Sequence, residues 1–316
     1  AETTTLDQST QAKASLQKHG KSFAWAARFL GADHADRGAR LYAICRAIDD
    51  MADDNTPQRA SALLSGLRTA LATGKSAEPE AVDLAAQVAR LDQMIGLSHQ
   101  ALTHLIDGVE QDLEPVRIAD QDALIRYAYR VAGTVGLMMC DVLGVQNPLA
   151  KRHAVDMGIA MQLTNIARDV LEDARLDRRY IPGTWLAAEP DRLIDPDAET
   201  VAAAQQAIAR LLDLADRYYT SGRAGLPYLP FRPRLAIAIA AAVYRAIGDR
   251  LRQRGYDYRQ GRVVVPSLQK AVISASIIAN PKILSRARTK HGHDSELQRA
   301  LDDLMGPNET ADHAPA

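Results

Sequence analysis

The residues best suited to chemistry form an acidic run at positions 49–54, directly behind the apolar stretch 41–48. If this run is helical, Asp49 and Asp53 lie one turn apart on one face, because residues four apart in an α-helix nearly eclipse. Two carboxylates at this spacing destabilise a helix unless positive charge lies between them. Either a solvated acidic face with lysines nearby or hard divalent cations, which prefer carboxylate oxygens, would meet that need. Asp50 is a further oxygen donor in the same run.

A second stretch, residues 162–173, repeats the pattern. Asn165, Asp169 and Asp173 recur at four-residue spacing, and Gln162 precedes them by three residues. Two acidic faces on apolar helices, separated by more than a hundred residues, can be buried together if they face each other across a cavity that holds cations. The pair of motifs therefore predicts a metal site with the ligands Asp49, Asp50, Asp53, Asn165, Asp169 and Asp173.

Each acidic motif also carries an arginine, Arg46 in the first and Arg168 in the second. In this form the two motifs resemble those of the squalene and phytoene synthase family, the head-to-head prenyl synthases, and most of all its bacterial phytoene synthase branch. Four further matching segments follow in the family's order, at residues 19–23, 131–136, 178–182 and 261–266. The resemblance covers most of the chain, and it implies an all-α isoprenoid synthase fold: one helical bundle around a central cavity.

The resemblance also implies an activity, the Mg²⁺-dependent joining of two geranylgeranyl diphosphates to 15-cis-phytoene through a cyclopropyl diphosphate. This reaction is the first committed step of carotenoid biosynthesis. Mn²⁺ is the expected substitute for Mg²⁺, and no NADPH is expected. The residues implied to be catalytic are Asp49, Asp53, Asp169, Asp173 and Arg46. The residues implied to contact the isoprenyl diphosphate are His19, Ser22, Tyr42, Arg46, Tyr127, Gln162, Arg168, Tyr244 and Arg262.

Other functions stay open at this point. A sister enzyme of the same fold would make squalene, dehydrosqualene or hydroxysqualene from two farnesyl diphosphates. The depth of the substrate tunnel would decide between the C20 and the C15 substrate. A non-catalytic scaffold derived from the family would have lost metal aspartates, whereas both sets are complete here. A carboxylate-bridged di-iron bundle draws Glu-x-x-His pairs from its helices, and no glutamate of this chain has a histidine at that spacing.

Composition narrows the class of protein. The 316 residues carry a net charge of −1, with 38 Lys and Arg against 39 Asp and Glu, which argues against a non-specific nucleic-acid protein. Cys45 and Cys140 lie in apolar surroundings and are expected to be buried, reduced thiols.

We expect no signal peptide, a cytoplasmic location and peripheral contact with the inner face of a membrane, while the oligomeric state is left open. The longest apolar run, 235–244, is half a membrane span.

Periodicity predicts one domain, 1–304, and a disordered polar tail, 305–316. The polar helix that ends at Asp112 is expected to lie on the surface, and the glycines Gly133 and Gly136 are expected to permit close helix packing. The loop after the second motif is either a solvated turn or a flap over the site, and we favour the flap. Helices are expected at 8–31, 36–54, 57–73, 81–97, 99–112, 120–144, 148–177, 197–222, 232–255 and 267–289.

Overall fold

The structure is a computed structural model that describes residues 10–17, 20–280 and 293–305. Within these ranges it contains helices and no β-strand, and an isolated parallel bridge pairs Arg117 with Arg179. The predicted all-α class is therefore confirmed. None of the described helices is both long and apolar enough to span a bilayer. His19 lies outside the described residues, as does the predicted tail except for Met305, which ends a short helix.

The α-helices are numbered here in chain order. The first part of the chain forms α1 (10–17), α2 (Lys21–Ala27), α3 (Ala32–Asp53), α4 (Pro57–Thr73), α5 (Pro79–Ile95), α6 (His99–Gln111), α7 (Gln121–Ala128) and α8 (Thr134–Val142). The second part forms α9 (Pro148–Arg168), α10 (Val170–Arg175), α11 (Pro190–Ile194), α12 (Ala198–Ala224), α13 (Phe231–Gln253), α14 (Ser267–Ile278) and α15 (Asp302–Met305). Short 3₁₀ turns cover Leu226–Tyr228, Tyr258–Gln260 and Ser295–Leu301.

The helix boundaries follow from local chemistry. At the start of α4, the Thr56 hydroxyl accepts a hydrogen bond from the backbone N–H of Arg59, and Pro57 occupies the first helical position, where no backbone donor is needed. Gly74 ends the same helix in the left-handed conformation, with φ of 74°. These features explain why the predicted limits of α4 match the observed ones.

The central helix of the bundle is α9, which packs against α8, α12 and α13. The approach of α8 is close because of glycine: a Cβ atom at Gly136 would lie 2.2 Å from the carbonyl oxygen of Ala154. Likewise, a Cβ atom at Gly158 would lie 2.3 Å from the carbonyl oxygen of Ala132. The prediction that the glycines in this region permit close packing is thus confirmed for Gly136.

Four predicted helices differ from the observed ones. The segment 8–31 contains two helices, α1 and α2, and Gly20 directly before α2 is not helical. The segment 120–144 is not one regular α-helix, because Tyr129–Gly133 forms a π-helical turn between α7 and α8. The segment 148–177 is interrupted at Asp169, whose φ and ψ are −104° and 16°. The helix predicted from residue 267 ends at Ile278, and the sequence explains this early end because the α conformation is disfavoured at Asn280, directly before a proline.

Candidate active site

The two acidic motifs line one polar cavity of about 210 Å³. Helix α3 contributes Asp49 and Asp53, and the α9–α10 segment contributes Asn165, Asp169 and Asp173 from the other side. The structure therefore brings together residues that are more than a hundred positions apart in the chain, as their shared pattern predicted.

Helix α3 presents its aspartates to the cavity because its opposite side is anchored in the core. Ile44 and Ile48 are almost completely buried, which fixes the rotation of the helix. Asp50 lies outside the polar cavity, and its carboxylate is 2.5 Å from the Nη2 atom of Arg46. The four-residue spacing that makes these two residues neighbours on the helix surface explains the ion pair. That Asp50 is a metal ligand stays a prediction, and it is not part of the set that lines the cavity.

The interruption at Asp169 does not break the register of the second motif. The N–H of Asp169 still donates to the carbonyl of Asn165 (2.9 Å), and the N–H of Asp173 donates to the carbonyl of Asp169 (2.8 Å). The Asp169 carboxylate accepts two hydrogen bonds from Arg168, with N···O distances of 2.7 and 2.5 Å. The Nε atom of Arg262 lies 3.2 Å from the same carboxylate. Two predicted substrate-contacting arginines thus converge on one predicted metal ligand.

Asp112 is a site residue that sequence reasoning missed. It caps the C-terminus of α6, and its two carboxylate oxygens accept hydrogen bonds from the hydroxyls of Tyr127 and Tyr180, each at 2.9 Å. The Nη2 atom of Arg178 donates both to the backbone carbonyl of Asp112 and to the carboxylate of Asp53, each at 3.1 Å. The sequence did contain a signal for this contact: Arg178 and Tyr180 lie in the loop that we predicted to be a flap over the site.

Helix α6 is a surface helix on its polar face alone, because its apolar face is buried and Val109 lines the polar cavity. Asp107 pairs with Arg68 at 2.6 Å, and neither residue lines the polar cavity. His104 lies 3.1 Å from the hydroxyl of Tyr129 and is also outside that cavity. The last residue of this polar segment, Asp112, differs: it is half-buried where the helix ends and lines the polar cavity.

Burial dominates the electrostatics of the carboxylates. Loss of solvent raises the pKa of Asp49 to about 7, with the neighbouring carboxylates of Asp53 and Asp112 adding to the effect and Arg46 opposing it. Burial likewise raises the pKa of Asp173 to about 8 and that of Asp112 to about 6. A cluster of this kind holds protons near neutral pH unless a cation supplies compensating charge.

The donor set fits a hard divalent cation. The Oδ1 atom of Asn165 is buried and has no hydrogen-bond partner in the part of the chain that the structure describes, although the amide nitrogen of the same side chain donates to Gln162 at 3.3 Å. A buried hydrogen-bond acceptor without a donor costs folding free energy, and a bound cation would compensate for the missing donor. Among the described residues, the side chains that line the cavity offer carboxylate, amide and hydroxyl oxygens and no sulfur or imidazole, which is the ligand chemistry that Mg²⁺ prefers.

A second cavity, of about 300 Å³ and mostly apolar lining, adjoins the polar one. The two share Asp49, Gln162 and Asn165 as walls. Near these residues the apolar cavity is bordered by Tyr42 and Tyr244, and the ring of Phe23 lies between them, with centroid distances of 6.4 and 5.1 Å. The site therefore consists of an acidic chamber that is continuous with an apolar one.

The remaining predicted residues are distributed around these two chambers. Tyr127 lines the polar cavity, Gln162 lines both cavities, and Arg46 lines the apolar one. Ser22 lies on α2, half-buried, and lines neither cavity. Cys45 and Cys140 both border the apolar cavity as free thiols, and Cys140 is the more buried of the two.

An all-α bundle with two facing acidic helices above an apolar chamber has the architecture of an isoprenoid synthase. The sequence model of squalene/phytoene synthase matches residues 16–269, and the chain belongs to the squalene/phytoene synthase family. Phytoene synthase of Pseudescherichia vulneris is 38% identical over 308 residues, which cover 90% of this chain and 93% of that protein. The 15-cis-phytoene synthase of Enterobacter agglomerans is 38% identical over 86% of this chain and 96% of its own length.

Solved structures show the same fold. A dehydrosqualene synthase crystallised with a ligand superposes with a TM-score of 0.76 at 24% identity, covering 89% of this chain and 98% of that chain. The squalene synthase HpnC of Alicyclobacillus acidocaldarius superposes with a TM-score of 0.68 at 22% identity, covering 81% and 97%. The predicted isoprenoid synthase fold is confirmed by these similarities.

Proposed function

We propose that this protein is a 15-cis-phytoene synthase, which joins two geranylgeranyl diphosphates head to head. The observation that carries the proposal is the continuity of the acidic cavity with the apolar one at Asp49, Gln162 and Asn165. A substrate with an anionic head and a long apolar tail needs both environments side by side. The proposal is also supported by relatives named 15-cis-phytoene synthase at 36–39% identity.

We propose Mg²⁺ as the cofactor, with Mn²⁺ as a substitute and without NADPH. Its proposed ligands are Asp49, Asp53, Asn165, Asp169 and Asp173. When bound, such an ion neutralises the charge of a diphosphate and so makes it a better leaving group.

The protein's own cations complete the head-group site. Arg168 and Arg262 lie at Asp169, and Arg178 lies between Asp53 and Asp112. Arginine donors at these positions fit the remaining diphosphate oxygens, because guanidinium groups bind such oxygens in pairs.

The apolar cavity supplies the second requirement, protection of an allylic cation from water. Met157 and Met161 of α9 and the aromatic rings of Tyr42 and Tyr244 line it. Aromatic faces attract a cation without acting as strong nucleophiles. In the proposed reaction, C1 of one molecule bonds to the C2–C3 double bond of the other with loss of diphosphate and a proton, which gives the cyclopropyl diphosphate. Loss of the second diphosphate, rearrangement and loss of a proton then give phytoene.

The apolar cavity is long enough for the tail of a C20 substrate. Asn165 at the acidic end and Ala150 at the other end of the lined face both belong to α9. Fifteen residues of helix at about 1.5 Å each separate them by about 22 Å. An extended carbon chain advances about 1.1–1.2 Å per bond, so the 16-carbon main chain of a geranylgeranyl group spans about 17–18 Å and that of a farnesyl group about 13 Å.

A product assay tests the function. Purified protein with Mg²⁺ and no NADPH is offered geranylgeranyl and farnesyl diphosphate separately, and products are identified by mass and absorbance. We expect a C40 hydrocarbon with the absorbance of a conjugated triene from the first substrate. A C30 product from farnesyl diphosphate alone would instead assign the protein to the squalene-type branch. Absence of product from both substrates, with metal bound, would leave the non-catalytic scaffold.

We further propose peripheral contact with a membrane, since both substrate and product are lipids. The support is a pair of exposed apolar side chains one turn apart on α14, Leu268 and Val272, with exposed fractions of 77 and 61%. Amphipathic helices of this kind bind at the lipid interface. Sedimentation with anionic phospholipid vesicles should retain the wild-type protein and lose most of the Leu268→Glu/Val272→Glu variant. Equal sedimentation of the two would contradict this role.

A further inference from the structure

One carboxylate of the polar cavity is left over once the proposed metal ligands are assigned. Among the described residues, five aspartates line this cavity, and four of them belong to the proposed ligand set: Asp49, Asp53, Asp169 and Asp173. The fifth, Asp112, comes from the end of α6, a helix that contributes no proposed ligand. Its role is therefore a separate question, and its hydrogen bonds indicate an answer.

Two tyrosine hydroxyls hold the Asp112 carboxylate. Tyr127 donates to Oδ2 and Tyr180 donates to Oδ1, each at 2.9 Å, and the two rings stack with a centroid distance of 4.7 Å. Both tyrosines are buried, and both line the polar cavity. An ionised carboxylate only accepts hydrogen bonds, so each hydroxyl uses its single hydrogen on Asp112 and keeps an oxygen lone pair as an acceptor. The cavity wall thus contains hydroxyl acceptors that are backed by a carboxylate.

Tyr127 belongs to the part of this wall that adjoins the apolar cavity. Val131, four residues later in the chain, lines both cavities, as do Asp49 and Asn165. In the proposed reaction the allylic cation forms at this junction, because the head group occupies the acidic side and the tail the apolar side. Of the described residues that line the apolar cavity, Asp49 is the one carboxylate, and it is a proposed metal ligand. The imidazole of His153 is remote, since twelve residues of helix at about 1.5 Å each separate it from Asn165 by about 18 Å.

The electrostatics of Asp112 and Tyr127 suit a proton acceptor. Burial raises the pKa of Asp112 to about 6, while the hydrogen bonds from Tyr180 and Tyr127 oppose this effect. The carboxylate is therefore mainly ionised above neutral pH and is more basic than an exposed aspartate. Burial also raises the pKa of Tyr127 well above its ordinary value, so this hydroxyl does not ionise by itself. A proton that its oxygen accepts has to be matched by transfer of its own hydrogen to Asp112.

We propose that Asp112 takes up, through the Tyr127 hydroxyl, the proton that is lost when the cyclopropyl diphosphate forms. This inference rests on the proposed function and assigns the acceptor of its first proton. After C1 of one substrate has bonded to C2 of the other, a C–H bond at that C1 breaks, and its electron pair closes the ring onto C3. The proton passes to the Tyr127 oxygen while the hydroxyl hydrogen of Tyr127 passes to Oδ2 of Asp112. Tyr127 is then the catalytic residue that meets the substrate, and Asp112 is a positioning residue that acts through it.

The test is kinetic and uses purified full-length protein with Mg²⁺ and geranylgeranyl diphosphate. For each variant, kcat, KM and the Mg²⁺ concentration that gives half-maximal rate are measured. Asp112→Asn keeps the shape and an acceptor oxygen but cannot take up a proton at neutral pH. It should lower kcat about a hundredfold or more, which is the usual contribution of a general base, and should change KM and the Mg²⁺ requirement less than about twofold.

Tyr127→Phe keeps the stacked ring and removes the hydroxyl alone, and it should lower kcat by a similar factor. The double variant should lose no more than either single variant, because the two groups act as one unit. Asp107→Asn is the matched control on the same helix, since Asp107 pairs with Arg68 and lines neither cavity. It should retain the kcat of the wild type.

A wild-type kcat in either Asp112→Asn or Tyr127→Phe would overturn the transfer and leave the released diphosphate as the acceptor. Losses that multiply in the double variant would also overturn it. An Mg²⁺ requirement raised tenfold or more in Asp112→Asn would do the same, because Asp112 would then be a metal ligand. Wild-type protein that makes no product from any prenyl diphosphate would refute the proposed function and the transfer with it. Wild-type protein active on farnesyl diphosphate alone would refute only the proposed chain length, since that substrate loses the same proton and the variants are then compared on it.

Discussion

Asp49→Asn should stabilise the metal-free protein at alkaline pH. Because the pKa of Asp49 is raised from 3.8 to about 7, the folded state holds a proton that the unfolded state has already lost above pH 4. Stability contributed by the protonated carboxyl is therefore complete below about pH 4, falls as pH rises towards 7 and is lost above 7. At about 1.4 kcal/mol per pKa unit, the loss is at most about 4 kcal/mol, of which about 3 kcal/mol falls between pH 5 and pH 8. An amide of the same shape removes this loss.

The assay is denaturant unfolding in EDTA at pH 5 and pH 8, for the wild type and Asp49→Asn. The gain in free energy of unfolding should be larger at pH 8 than at pH 5 by up to about 3 kcal/mol. Asp50→Asn is the matched control, since Asp50 lies next to Asp49 but outside the polar cavity. Added Mg²⁺ should stabilise the wild type and leave the Asp49→Asn variant nearly unchanged. An equal gain at both pH values, or a loss at pH 8, would refute the reasoning that Asp49 is a desolvated carboxylate awaiting a cation.

Further predictions concern packing and the head-group site. Gly136→Ala should lower the free energy of unfolding by about 1–3 kcal/mol, because the new methyl group would lie 2.2 Å from a carbonyl oxygen of α9. Gly38→Ala, in α3 with open space around its Cβ position, should instead raise it by up to about 1 kcal/mol; equal effects in urea unfolding would contradict the close approach of α8 and α9. Arg178→Gln should lower kcat/KM at least about tenfold, since it removes the donor that links Asp53 to Asp112. Kinetics with the proposed substrate check this, and Arg254→Gln, a change to an arginine that lines neither cavity, should have little effect.

Helix positions could be predicted because local rules determine most of them. Period and capping residues place α4 and α6 almost to the residue, as the caps Thr56 and Ser98 show. The π-helical turn at Tyr129–Gly133 and the interruption at Asp169 could not be predicted, because they depend on how neighbouring helices pack. A sequence window contains no information about those contacts.

The acidic half of the site could be predicted because four-residue spacing fixes which carboxylates share a face. Asp112 was not predicted as a site residue because its hydrogen-bond partners are remote in the sequence: Tyr180 follows 68 residues later. For Asp50 the spacing rule allows two interpretations, a metal ligand or the partner of Arg46 four residues earlier, and the structure shows the ion pair.

A single helix, α9, lines the apolar cavity from Ala150 to Asn165, where the acidic chamber begins. The lined face therefore measures tail length as a count of residues along a rigid rod. One helical turn rises about 5.4 Å, close to the span of one isoprene unit in an extended tail. A bulky side chain placed one turn nearer Asn165 on this face would shorten the accommodated tail by about one C5 unit. Chain-length diversity in such a scaffold can then arise in discrete steps through single substitutions, without redesign of the catalytic end.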